Sequence, residues 1–228
     1  MRPNYSSMTM RRPFGLWRWL LVGLLIWIGT DLFVPRKHSI RQFDPATVAQ
    51  LETDMWRAYY DKNPALLFWQ LAGGLRQQFG APFWRSFVLA FQATRAAFVF
   101  KQGGSQADYD QALPLLETYY DAVQRLSIES FRVPDMAREE LNWWIVHRQR
   151  DRYTYADLAL ALDRTAAVLY ERPAPAFARY GQLRAEAMRL CDEAGRGATE
   201  ADWQRIDQVL NQAWSELHRV VRPKTPNQ

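Results

Sequence analysis

The chain is poor in the residues that most often carry chemistry. Its 228 residues include one cysteine, Cys191, and three histidines, His38, His147 and His218. A single cysteine excludes an intrachain disulfide and any Cys-x-x-Cys site, and no His-Glu-x-x-His occurs, so a zinc site of ordinary spacing has no ligands here. Gly-x-Ser-x-Gly, a phosphate-binding loop and a dinucleotide fingerprint are also missing. So is any sustained strand alternation bounded by hairpin turns, which excludes a sheet-based fold. Lysine is scarce, at four against 25 arginines.

Acidic residues are nearly absent from the first 41 positions. Asp31 stands alone there against Arg2, Arg11, Arg12, Arg18, Arg36, Lys37 and Arg41. The other 187 residues carry 22 basic and 23 acidic side chains. The net charge of +5 is therefore a property of the N-terminal segment and not of the remainder. Basic flanks of this kind attract anionic lipid head groups. A nucleic-acid-binding domain needs a basic face of its own, so no nucleic-acid partner is expected.

What those basic residues flank is the one long apolar run, GLWRWLLVGLLIWIGTDLFV, from Gly15 to Val34. Twenty helical residues span about 30 Å, the thickness of a hydrocarbon core. Arg18 lies one turn inside one end, where its side chain can snorkel to the interface. Trp17, Trp19, Trp27 and Phe33 suit the interfacial belts, and Pro35 stops the helix. The run reads as a membrane anchor. A cleaved secretory signal is the alternative, but Gly29-Thr30-Asp31 is a poor small-x-small site. Basic residues on both sides nearly tie, and the short N-terminal tail favours a cytoplasmic N-terminus. The expected location is a bacterial inner membrane, crossed once, with the following domain in the periplasm.

Helix punctuation divides the rest. Asp44-Pro45, Asn63-Pro64 and Ala81-Pro82 each place a helix start, and Gly103-Gly104 a break. Ser105 with Asp108, Thr154 with Asp157 and Thr199 with Asp202 read as capping boxes. Further starts follow at Pro134 and Pro175, and Pro114 is expected to kink its helix or split off the first turn. The fold class is thus all-α: one N-terminal transmembrane helix, then a bundle or stacked hairpins of about seven to eight helices. The segments are a tail over 1–14, the anchor over 15–34, a basic juxtamembrane linker over 35–43, the helical domain over 44–222 and a flexible tail over 223–228. The apolar stretch from Phe83 to Phe100 is expected to be the central buried helix, with a membrane-lying helix as the other reading.

Chemistry inside the bundle has one candidate set. Glu140 and His147 are two helical turns apart, and Glu52, Glu117 and Glu186 sit in apolar stretches of other helices. Di-iron or di-manganese bundles draw carboxylates and histidines from four helices in this way, although their Glu-x-x-His spacing is missing here. The competing reading needs no cofactor: arginines at apolar-helix positions, Arg57, Arg76, Arg95, Arg148 and Arg184, pair with Glu52, Glu117, Glu140 and Glu186. Cys191 reads as a half-buried, inert thiol. The doublets Tyr59-Tyr60, Tyr119-Tyr120 and Trp143-Trp144 are expected to turn one ring inward and one partly outward. With no catalytic motif, the expected role is a membrane-anchored accessory or assembly subunit whose partners are lipid and other subunits. A metal enzyme and a periplasmic peptide- or lipid-binding adaptor are the alternatives.

Overall fold

The structure is a computed structural model, and it describes residues 14–222. The expected tails, with Arg2, Arg11 and Arg12, lie outside the described residues. Two compact units divide at Val34. The first contains a single helix, α1 (Phe14–Phe33), which is apolar on all sides and long enough to cross a membrane. Its side chains are almost entirely exposed: Trp17 is 73% and Trp19 76% accessible, and Leu20, Leu25, Ile26 and Phe33 are also open.

The second unit is all-helical, with nine α-helices among the described residues: α2 (Pro45–Tyr60), α3 (Pro64–Phe79), α4 (Phe83–Gln102), α5 (Gln106–Asp110), α6 (Leu113–Leu126), α7 (Val133–Arg148), α8 (Tyr155–Tyr170), α9 (Ala178–Ala194) and α10 (Glu200–Val221). Local chemistry sets the boundaries. The Asp44 carboxylate accepts from the Thr47 N–H at 3.0 Å, and the Asn63 side chain accepts from Leu66 N–H at 3.1 Å. These satisfy donors that a helix start leaves open. Ser105, Thr154 and Thr199 each form a reciprocal capping box with the aspartate three residues on. Gly80, at φ +62°, ends α3 in the left-handed region that other residues avoid. Pro114 stands in the first turn of α6, where the chain has already broken from α5, so the expected seven to eight helices become nine.

Each helix packs on the next, α2 on α3, α3 on α4, α4 on α6, then α7, α8, α9 and α10 in turn, and α10 returns to α2. That return closes the circuit, which an open stack of hairpins would not do. One continuous apolar core runs through it, centred on Leu116, Met136, Phe177, Ile206, Leu210 and Leu217. A smaller cluster fills the space between α7, α8 and α9. There α8 and α9 approach very closely: a Cβ added at Gly181 would lie 2.5 Å from the Ala159 carbonyl oxygen.

Two expectations change. Residues 35–43 belong to the second compact unit. Ile40 is fully buried and Phe43 nearly so, and His38 pairs with Ser127 in an isolated parallel bridge. The basic residues dominate this segment's composition, but its apolar pair decides where it lies. The stretch from Phe83 to Phe100 is not enclosed. In α4 only Ser86, Leu89, Ala90 and Ala96 are buried, because α3 and α6 cover one side of it.

Candidate functional site

The interior brings acids, arginine and aromatic donors together in two clamps. In the first, Glu52 on α2 receives Arg184 Nη2 of α9 at 2.7 Å and the Trp214 indole N–H of α10 at 2.6 Å. Arg184 also donates to the Tyr180 hydroxyl at 2.8 Å, and its guanidinium lies over the rings of Trp143, Tyr180 and Trp214. Burial opposes the Arg184 charge, but Glu52 more than offsets this and the guanidinium stays protonated. In the second clamp, Glu140 on α7 accepts from the Tyr120 hydroxyl at 2.8 Å and the Trp144 indole N–H at 3.0 Å. Burial, with Glu140 close by, raises the Tyr119 and Tyr120 hydroxyls above their ordinary range, so both remain protonated and Tyr120 remains a donor. These carboxylate oxygens face donors already in place. The arrangement ties α2 to α9 and α10, and α6 to α7.

The five residues of the metal reading are not gathered. Glu52 and Glu140 sit in separate clamps, and Glu186 binds Arg189 of its own helix at 2.6 Å. Glu117 is half-exposed on α6. His147 Nε2 meets Asp192 at 2.9 Å near the surface, and Tyr155 donates to the same oxygen at 3.0 Å. Among the described residues no three His, Cys, Asp or Glu side chains converge as a metal site. Cys191 is buried rather than half-buried, and burial pushes its thiol up to about 11. Paired with the Tyr60 hydroxyl and close to Asp192, it is therefore not an activated nucleophile.

The arginines follow several chemistries. Arg184 pairs with Glu52, and Arg57 reaches Glu200 at 2.5 Å, an acid outside the expected four. Arg148 takes backbone carbonyls instead, Lys101 O and Gly103 O at 3.1 Å each, and caps the end of α4. Arg76 donates to Ser86 Oγ at 2.8 Å and stands over Trp69, Phe83 and Phe87. Arg95 is exposed and lies 5.9 Å from the Phe91 ring, with no ion pair among the described residues. Glu140 was expected to pair with an arginine; neutral donors take that place. The aromatic doublets also differ from one another. Tyr59 is exposed beside half-buried Tyr60, and both tryptophans of Trp143-Trp144 are half-buried, whereas Tyr119 and Tyr120 are both buried.

With the interior acids occupied, the outer surface of α3 and α4 is the strongest candidate for a functional site. Val88, Phe91, Arg95 and Phe98 recur at three- and four-residue steps and so share one side of α4. All four are exposed, Phe91 at 57% and Phe98 at 61%. On α3, Leu66 and Trp69 are exposed, and the Trp69 ring lies 5.5 Å from Phe87, one turn before Phe91. Phe68, Phe83 and Phe87 join Trp69 in one ring cluster between the two helices, and Phe91 follows Phe87 one turn further along α4. Fully burying such a side chain contributes about 1.5–3 kcal/mol, so this is a costly face to leave in water. Apolar periodicity marks α4 in the sequence; the side that stays uncovered depends on where α3 and α6 pack. No known protein family, characterised protein or solved structure matches this chain.

Proposed function

We propose that the chain is a membrane-anchored helical accessory subunit, held beside a larger membrane complex by α1 and acting through contacts made by its domain. The carrying observation is that α1 is apolar on all sides and exposed on nearly all of them. Such a helix gains free energy from lipid and would be unstable in water. The aromatic surface of α3 and α4 supports a role in contact rather than turnover, as does the full occupation of Glu52 and Glu140 by internal donors. A cytoplasmic N-terminus, and a domain on the periplasmic side of a bacterial inner membrane, belong to the same reading.

Fractionation tests it directly. The chain is expected to stay with membranes through an alkaline wash, with an intact mass that retains residues 15–34. After extraction in mild detergent it is expected to elute together with other membrane subunits. Release by alkali, a mature N-terminus beyond Val34, or elution only as a bare monomer overturns the proposal.

A further inference from the structure

We propose that the outer surface of the α3–α4 hairpin is a second membrane-binding site, which lies on an anionic lipid bilayer with Trp69, Val88, Phe91 and Phe98 in the interface and Arg95 and Lys101 at the head groups. It depends on the anchored reading only for supplying the bilayer.

Charge distribution carries this furthest. Residues 64–102 contain no acid, four basic side chains (Arg76, Arg85, Arg95 and Lys101) and nine aromatics. The rest of the chain beyond Arg41 holds 18 basic and 23 acidic residues, so one hairpin concentrates positive charge on an otherwise acidic domain. An anionic bilayer attracts the hairpin and repels the rest, which fixes the side that faces lipid. The exposed residues match that environment. Aromatic rings partition to the interface, and an arginine among them can reach the phosphates while its methylenes stay apolar. Arg95 has this placement, with its guanidinium 5.9 Å from the Phe91 ring. Lys101 lies at the end of the same helix, 5.8 Å from the ring of exposed Tyr59. A protein partner fits less well. Protein interfaces carry about one hydrogen bond per 100–200 Å², and the stripe Val88, Phe91, Arg95, Phe98 offers a single polar side chain.

The test uses the full chain in nanodiscs of phosphatidylcholine alone, or with about a third phosphatidylglycerol. Phe91→Cys and Phe98→Cys carry an environment-sensitive fluorophore; Leu160→Cys, exposed on α8, is the control. Cys191 is buried and stays unlabelled, as labelling of the unsubstituted chain will check. Probes at 91 and 98 are expected to shift to the blue in anionic discs, with quenching by nitroxide-bearing lipid at least about two-fold above the control. Each basic side chain at such a surface is worth roughly five-fold in partitioning, so Arg95→Glu with Lys101→Glu should return both probes to the control value. Probes that remain aqueous in anionic discs overturn the proposal. So do probes that become shielded without nitroxide quenching, the signature of a protein partner or a second copy. A chain that fails to enter discs sinks the anchored reading instead, and flotation of the same labelled chains with the two lipid compositions then tests the hairpin by itself.

Discussion

Glu52 and Arg184 stand 132 positions apart in the chain and meet at 2.7 Å inside it. Trp214 completes the carboxylate's coordination from a third helix. The pair is therefore the point where the first and last parts of the domain are joined, α2 to α9 and α10. Removing one member leaves a buried charge without its counterion, which typically costs about 3–5 kcal/mol. Glu52→Gln and Arg184→Met are each expected to destabilise the chain by that amount in denaturant unfolding, while the double variant Glu52→Leu, Arg184→Met recovers most of the loss. Equal losses in the singles and a summed loss in the double would show that the two side chains act independently.

Asp163 is a buried carboxyl whose Oδ1 lacks a hydrogen-bond partner. Burial raises it to about 6, and the Gly181 N–H and Arg164 offset this only in part. The folded state thus holds this proton more tightly than the unfolded chain does. Its effect is a loss of stability as pH rises from about 3.8 to about 6, on the order of 2–3 kcal/mol. Asp163→Asn is expected to abolish that slope and to raise stability at pH 7. Unfolding titrations at several pH values read this directly, and an unchanged slope in the variant contradicts the assignment.

The same aspartate explains why a glycine sits in the first turn of α9. A methyl group at position 181 would lie 2.0 Å from Asp163 Oδ1 and 2.5 Å from the Ala159 carbonyl oxygen. The second of these is backbone and cannot turn aside. Alanine normally favours a helix by about 1 kcal/mol over glycine, but overpacking costs about 1–3 kcal/mol or more. Gly181→Ala is expected to lower the unfolding temperature despite its better propensity. Adding Asp163→Ala should relieve only part of the loss, because the carbonyl contact remains.

How much of this was legible depends on the range of the forces involved. Caps are local, so Asp44, Asn63, Ser105, Thr154 and Thr199 marked their helices from sequence alone, and Pro114 marked the division between α5 and α6. The apolar run of α1 was equally plain, since twenty residues carry its signal. The partners of Glu140 were not legible: Trp144 lies one turn away, but Tyr120 comes from another helix, and nothing in either residue's neighbourhood announces the other. Nor was the exposed side of α4, because composition counts apolar residues without saying which neighbour covers them. The strap before α2 was hidden for a related reason. Arg36, Lys37 and Arg41 drew the reading toward a lipid-facing linker, whereas isolated Ile40 and Phe43 make no periodic signal.

That strap is held by one carboxylate, Glu129, in the turn between α6 and α7. Ser39 Oγ donates to it at 2.5 Å, Ile40 N–H at 3.0 Å and Ser127 Oγ at 3.1 Å, and Arg41 lies 3.8 Å away. Burial by itself would raise Glu129, but these hydrogen bonds more than compensate and hold it below the usual 4.5. The sign is opposite to that of Asp163. Glu129 contributes stability that is complete above pH 4.5 and disappears as pH falls through its lower folded value. Hydrogen bonds to a charged acceptor are worth about 1.5–3 kcal/mol each, so Glu129→Ala is expected to cost at least about 2 kcal/mol. The loss should be local as well as global. Hydrogen exchange at the Ile40 amide, and at His38, which donates to the Leu126 carbonyl at 2.7 Å, is expected to accelerate far more than exchange in α10. Equal acceleration everywhere would mean that the strap opens only when the whole domain unfolds, and that Glu129 does not fasten it separately.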